Sequence, residues 1–134
     1  MENYWPTAAD KPTATKHDIE HSKWYAKVHK IVLSRTMEAA PVNTEILSDK
    51  LTEKINDIKQ KTGEDILLFG SPTATHSLIQ LNQIDGYWLF LNPIILGKGI
   101  PLFTGIKDTI KLNLLNSRQF TSGVTELNYA VDRP

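Results

Sequence analysis

No cysteine occurs among the 134 residues, which excludes disulfides, thiol catalysis and thiolate metal sites. Such a composition fits a reducing compartment, and the expected location is the cytoplasm. Charge of one sign is missing too. Fifteen basic residues meet fifteen acidic ones, so the electrostatic footprint of a nucleic-acid binder is absent. No apolar run approaches the ~20 residues of a membrane span, and the N-terminus lacks the basic start and apolar stretch of a secretory signal. Neither a G-x-S-x-G elbow nor a Walker A pattern occurs, and Gly97-Lys98-Gly99 lacks the spacing for one. There is no paired-carboxylate signature, no internal repeat and no low-complexity segment.

What remains is a chain of one-domain size with the 40% hydrophobic and 22% charged content of a globular protein. The stretch from Asp65 to Leu78 is its most informative part. Asp65 to Phe69 reads as a buried strand that turns at Gly70 directly into a helix. Ser71 suits the N-cap and Pro72 the first helical position, where its missing N–H has no intrahelical partner to lose. Ala74, Leu78 and Leu81 follow at helical spacing. The free N–H groups and dipole of such a helix suit an anion such as a pyrophosphate, although most strand-to-helix turns bind nothing.

Elsewhere, residues 1–16 read as loop and His17 to Ala26 as a short helix. Lys30 to Thr36 reads as a buried strand with a polar end, and Thr44 to Leu47 as a further short strand. Ser48 can cap a helix that places Leu51, Ile55 and Ile58 on one face and stops by Gly63. Tyr87 to Leu91 is a continuous apolar strand stopped by Pro93, and an apolar loop follows to Phe103. Ile110–Phe120 and Val124–Val131, separated by Ser122-Gly123, predict an antiparallel hairpin. This order predicts an α/β fold with an open sheet, parallel at its centre and antiparallel at its edge.

Two constellations bear chemistry. His17-Asp-Ile-Glu-His21 matches the H-x-x-E-H zinc pattern, but no third ligand accompanies it, so the segment reads as a polar, solvent-facing helix and no metal is expected. His29 and His76 have no partner nearby in sequence and read as surface or packing residues. Ser34-Arg35-Thr36 stands at the end of a strand, where ligands gather in open α/β sheets. A guanidinium between two hydroxyls can hold a phosphate monoester through forked, charge-assisted hydrogen bonds; a plain surface arginine is the other reading. Together with the Gly70 turn, the chain offers two phosphate-compatible sites, and NADPH carries both a pyrophosphate and a separate monoester.

These residues carry a resemblance. Tyr4-Trp5-Pro6, Lys30 to Thr36, Asp65 to Gly70, Ile84-Asp85 continuing through Asn92 to Phe103, and Phe120 to Val124 with Tyr129 occur in the order of one reductase family. The chain resembles the C-terminal domain of bacterial riboflavin-biosynthesis deaminase-reductases and the stand-alone proteins related to it. The resemblance implies a dihydrofolate reductase-like fold: a mostly parallel central sheet flanked by helices, with a C-terminal antiparallel hairpin. It implies NADPH as cofactor, a homodimer, and hydride transfer to a small heterocyclic or imine substrate, pteridine-like or 5-amino-6-ribosylaminouracil-like. By position, Ser34, Arg35 and Thr36 would hold the adenosine end and its 2′-phosphate, and Gly70, Ser71, Thr73 and Ala74 would wrap the pyrophosphate. The loop from Pro93 to Phe103 would serve the fold and the dimer contact.

Two departures accompany the likeness. Gly70-Ser71 stands where the family usually has two glycines, which removes the closest backbone approach to phosphate. Met1 also falls just ahead of the Tyr-Trp-Pro stretch, where the family has already placed a strand and a helix. One reductase-like domain over residues 1–134, truncated at its N-terminus, is the expectation: a truncated product or fragment, a chain whose gap a partner copy fills, or one whose remaining strands close up, with truncation compensated by dimerisation the favoured reading. No residue stands out as a proton donor. A non-catalytic remnant that binds a nucleotide, or only its own copy, is therefore the alternative to an active reductase.

Overall fold

The computed structural model describes residues 4–133. Its elements are α1 (Trp5–Ala8), α2 (Lys16–Lys27), β1 (Lys30–Leu33), β2 (Thr44–Leu47), α3 (Leu51–Lys59), α4 (Pro72–Gln80), β3 (Gly86–Leu91), β4 (Leu112–Gln119) and β5 (Thr125–Val131). The fold is α/β, as the alternation of helix and strand patterns predicts. The chain gathers into two compact units, residues 1–51 and 52–134.

In the first unit, α2 starts from a capping box. Thr15 Oγ1 accepts from the Asp18 N–H at 3.2 Å, and Asp18 Oδ2 accepts from the Thr15 N–H at 2.8 Å. The hydrogen bond from the Thr15 hydroxyl, then that from its backbone N–H, holds the Asp18 carboxyl below its ordinary pKa. The expected polar helix is more aromatic than its composition suggests. The His21 ring lies between Trp5 of α1, at 4.0 Å between centroids, and Trp24, at 5.0 Å. β1 and β2 then pair in parallel, from Lys30 opposite Thr44 to Leu33 opposite Leu47. Leu47 is 2% exposed and anchors this unit's core.

In the second unit, Ile55 of α3 is buried and Ile58 is half-buried, so these two positions of the predicted helical stripe are turned from solvent. The sheet has the order β3-β5-β4 and is antiparallel throughout. The predicted hairpin forms β4 and β5, with a register shift between Leu114 and Asn116. Asp85, just ahead of β3, holds two cations: Lys59 Nζ at 2.5 Å from Oδ2 and Arg133 Nη1 at 2.6 Å from Oδ1. Arg133 Nη2 also donates to the carbonyls of Asn82 (2.9 Å) and Ile84 (2.7 Å). Burial alone would raise the Asp85 carboxyl, but the hydrogen bond and charge of Lys59, then Arg133, outweigh it and lower its pKa. Burial pushes the neighbouring Tyr87 phenol up.

Two predicted elements are corrected: the loop expected over residues 1–16 carries α1, and the strand expected at Asp65 to Phe69 does not form. Residues 65–69 join no ladder, and Ile66, Leu67, Leu68 and Phe69 stay exposed. A strand needs a neighbouring edge to take its N–H and C=O groups, and neither β1–β2 nor β3-β5-β4 extends to this segment. Its apolar character records a preference for burial, which is distinct from having a pairing partner. The strands accordingly lie in two sheets, one parallel pair and one antiparallel triplet, where one open sheet was expected.

Candidate cofactor site

The turn into α4 is built as the sequence predicts. Gly70 takes φ +55°, a left-handed conformation that side chains disfavour, and nothing lies within 4 Å of where its Cβ would be. Ser71 is the N-cap at φ −109° and Pro72 opens the helix. The demand for glycine thus falls on Gly70 alone, and Ser71 occupies the second position of the pair without strain. The Ser71 hydroxyl makes no capping bond to its own helix. The first intrahelical bond runs from the Thr75 N–H to Ser71 O at 2.9 Å, so the N–H groups of Thr73 and Ala74 lie ahead of it in the first turn. This leaves two amides, one hydroxyl and the positive end of the helix dipole for an anion.

Ser34, Arg35 and Thr36 form one loop in the first unit. The strand expected through Thr36 stops at Leu33. The Ser34 N–H still reaches Leu47 O at 3.1 Å, but its Oγ accepts from the N–H groups of Thr36 (3.3 Å) and Met37 (3.1 Å) and turns the chain. Arg35 and Thr36 are exposed, and among the described residues no carboxylate or carbonyl engages the Arg35 guanidinium. A phosphate monoester would find its charge uncommitted. Each group, taken within its own unit, has donors of a kind that suit a phosphate. Gly70 gives a pyrophosphate close access to backbone, and Arg35 gives a monoester a forked cation.

His29 and His76 are a surface and a packing residue, as expected, and each meets a partner far away in sequence. His76 Nε2 lies 3.0 Å from Leu102 O and fixes the apolar loop before Phe103 to α4. Its partner is a backbone carbonyl distant in sequence, so no local pattern could reveal it. His29 Nε2 lies 3.4 Å from Glu45 Oε2. Among the described residues, no cluster of three His, Asp or Glu side chains with metal-binding geometry occurs, and His17 and His21 take part in the aromatic stack instead. Nor is any described helix long and apolar enough to cross a membrane. An open apolar groove lined by Leu91, Pro93, Ile94, Ile95 and Gly123 contains none of the expected cofactor residues.

The profile of the RibD C-terminal domain matches residues 5–125. The uncharacterized protein YyaP of Bacillus subtilis (strain 168) is 35% identical over 115 residues, covering 84% of this chain and 61% of that protein. The uncharacterized protein YwjB of the same organism is 32% identical over 72 residues, or 54% of this chain and 41% of YwjB. The chain therefore spans less than two thirds of the length of either relative. Among solved structures, a protein assigned to riboflavin biosynthesis from Shewanella sp. PV-4 superposes with a TM-score of 0.69 at 21% identity, covering 88% of this chain and 71% of that one. A pyrimidine reductase-like protein from Corynebacterium diphtheriae superposes with a TM-score of 0.57 at 18% identity, covering 78% and 50%. At these identities the two structures speak for the fold.

Proposed function

Because the chain belongs to the RibD C-terminal domain family, we propose that it is a reductase-family protein that binds NADPH and serves hydride transfer to a small heterocyclic or imine substrate. A pteridine or an aminouracil ribosylamine is the class of acceptor that fits this reading, and the names of the two solved neighbours support it. The carrying observation is the Gly70-Ser71-Pro72 turn, with its left-handed glycine and uncommitted Ser71 hydroxyl. NADPH supplies the hydride, and the protein supplies binding and orientation. The amides of Thr73 and Ala74 and the Ser71 hydroxyl would hold the pyrophosphate, and Arg35 would hold the 2′-phosphate, with Thr36 beside it.

A second reading is nucleotide binding without turnover. It is favoured by the ladderless segment 65–69. One experiment separates the two: a fluorescence titration with NADPH, paired with an assay of NADPH oxidation in the presence of a dihydropteridine or an aminouracil ribosylamine. Saturable binding with turnover is the expected result. Binding without turnover selects the second reading, and no binding of NADPH or NADP⁺ refutes both.

The proposal includes a homodimer. Trp88, Phe90, Leu91, Ile94 and Ile95 are exposed within residues 88–95, with Ile95 at 99%. A solvated apolar run of this kind favours association. Light scattering is expected to give twice the chain mass, and Ile95→Asp to shift it toward the monomer. A wild-type protein that stays monomeric at every concentration would overturn the dimer.

A further inference from the structure

We propose that Ser34 is a positioning residue that holds Arg35 in place to read the cofactor's 2′-phosphate, a role that rests on the NADPH reading above. Ser34 is pinned by its backbone to the adjacent strand, through the 3.1 Å bond from its N–H to Leu47 O. Its hydroxyl oxygen then takes the amides of Thr36 and Met37, one and two residues past the arginine. Arg35 is thus the apex of a small loop closed across its own base. The closure occupies both lone pairs of the Ser34 oxygen and directs the Thr36 and Met37 N–H groups at that oxygen, where they cannot also serve a phosphate. Arg35, exposed and without an ion-pair partner among the described residues, is left as the charge the loop presents.

The need for such a closure follows from the connection itself. Residues 34–43 link two parallel strands without a helix, a shorter crossover than parallel pairing usually has. A long, rotamer-rich arginine on an unclosed loop would lose more freedom on binding than one on a loop already shaped, so the closure raises affinity through pre-organisation. The effect of Ser34 should therefore pass through Arg35 and appear only with the ligand that carries the 2′-phosphate.

The test measures dissociation constants for NADPH and NADH with wild type, Ser34→Ala, Ser34→Thr, Arg35→Ala and the double variant Ser34→Ala/Arg35→Ala. Loss of the two hydrogen bonds should lower the preference for NADPH about tenfold in Ser34→Ala. Ser34→Thr, which keeps the hydroxyl, should restore it. In the Arg35→Ala background, Ser34→Ala should cost nothing further, because the group it positions is gone. A Ser34→Ala protein with wild-type preference, a threonine that does not rescue, or a further loss on top of Arg35→Ala would each overturn the positioning role while leaving the NADPH reading intact. If Arg35→Ala itself leaves the preference unchanged, the assignment of Arg35 to the 2′-phosphate fails, and the Ser34 proposal fails with it.

Discussion

Gly86→Val is expected to cost the protein about 3 kcal/mol or more, a large part of the 5–15 kcal/mol by which a domain of ordinary stability is held. Gly86 opens β3 opposite Ala130 of β5. A Cβ placed there would lie 2.8 Å from the carbonyl oxygen of Tyr129. That oxygen belongs to the backbone of the central strand, so it cannot swing aside as a side chain would. Either the two strands separate at this end or the register shifts, and both outcomes disturb the adjacent bond from the Val131 N–H to Asp85 O at 2.8 Å. Gly86→Ala should show a smaller loss of the same kind. Urea unfolding followed by tryptophan fluorescence reads the effect, and a Gly86→Val midpoint equal to that of wild type would contradict it.

Arg35→Glu should produce the largest change in ligand binding. Replacing the cation with a carboxylate removes a charge-assisted contact and sets like charge against the 2′-phosphate, so NADPH should bind about 100-fold more weakly or worse. NADH, which lacks that phosphate, should bind as it does to wild type. Arg35 is exposed and makes no contact on which the described fold depends, so the midpoint of unfolding should stay within about 0.5 kcal/mol. Added salt should narrow the gap between the two cofactors in wild type by screening the attraction. Equal loss of NADPH and NADH would show that Arg35 does not read the 2′-phosphate.

Much of this fold was legible because its elements carry their own boundaries. β2 lies where Thr44 to Leu47 predicted it, and the Ser122-Gly123 signal marks the turn between β4 and β5. The Ser71-Pro72 start of α4 is equally local, since an N-cap and a first-turn proline act on neighbouring amides. Pairing is a different matter. Residues 65–69 have the composition of a buried strand, yet whether they become one depends on an edge supplied from elsewhere, and composition carries no trace of that. Ser34 shows a similar limit within the site. Its hydroxyl read as a group beside Arg35, but composition does not show that its oxygen also accepts from the amides of Thr36 and Met37, which leaves its own O–H able to donate. His76 finds a carbonyl near Phe103 that no spacing rule connects to it.

The strand order β3-β5-β4 has a consequence for how the polypeptide is made. The strand at the centre is the last of the three to be synthesised. While residues 92–124 emerge, the segment with Trp88, Phe90 and Leu91 has its eventual neighbour still untranslated, and β4 must wait as well. Neither strand finds its partner until Thr125–Val131 has left the ribosome. The apolar stretch of β3 therefore spends the whole of that interval as a client for whatever meets nascent chains, and the yield of folded protein depends on how well it is shielded until β5 arrives.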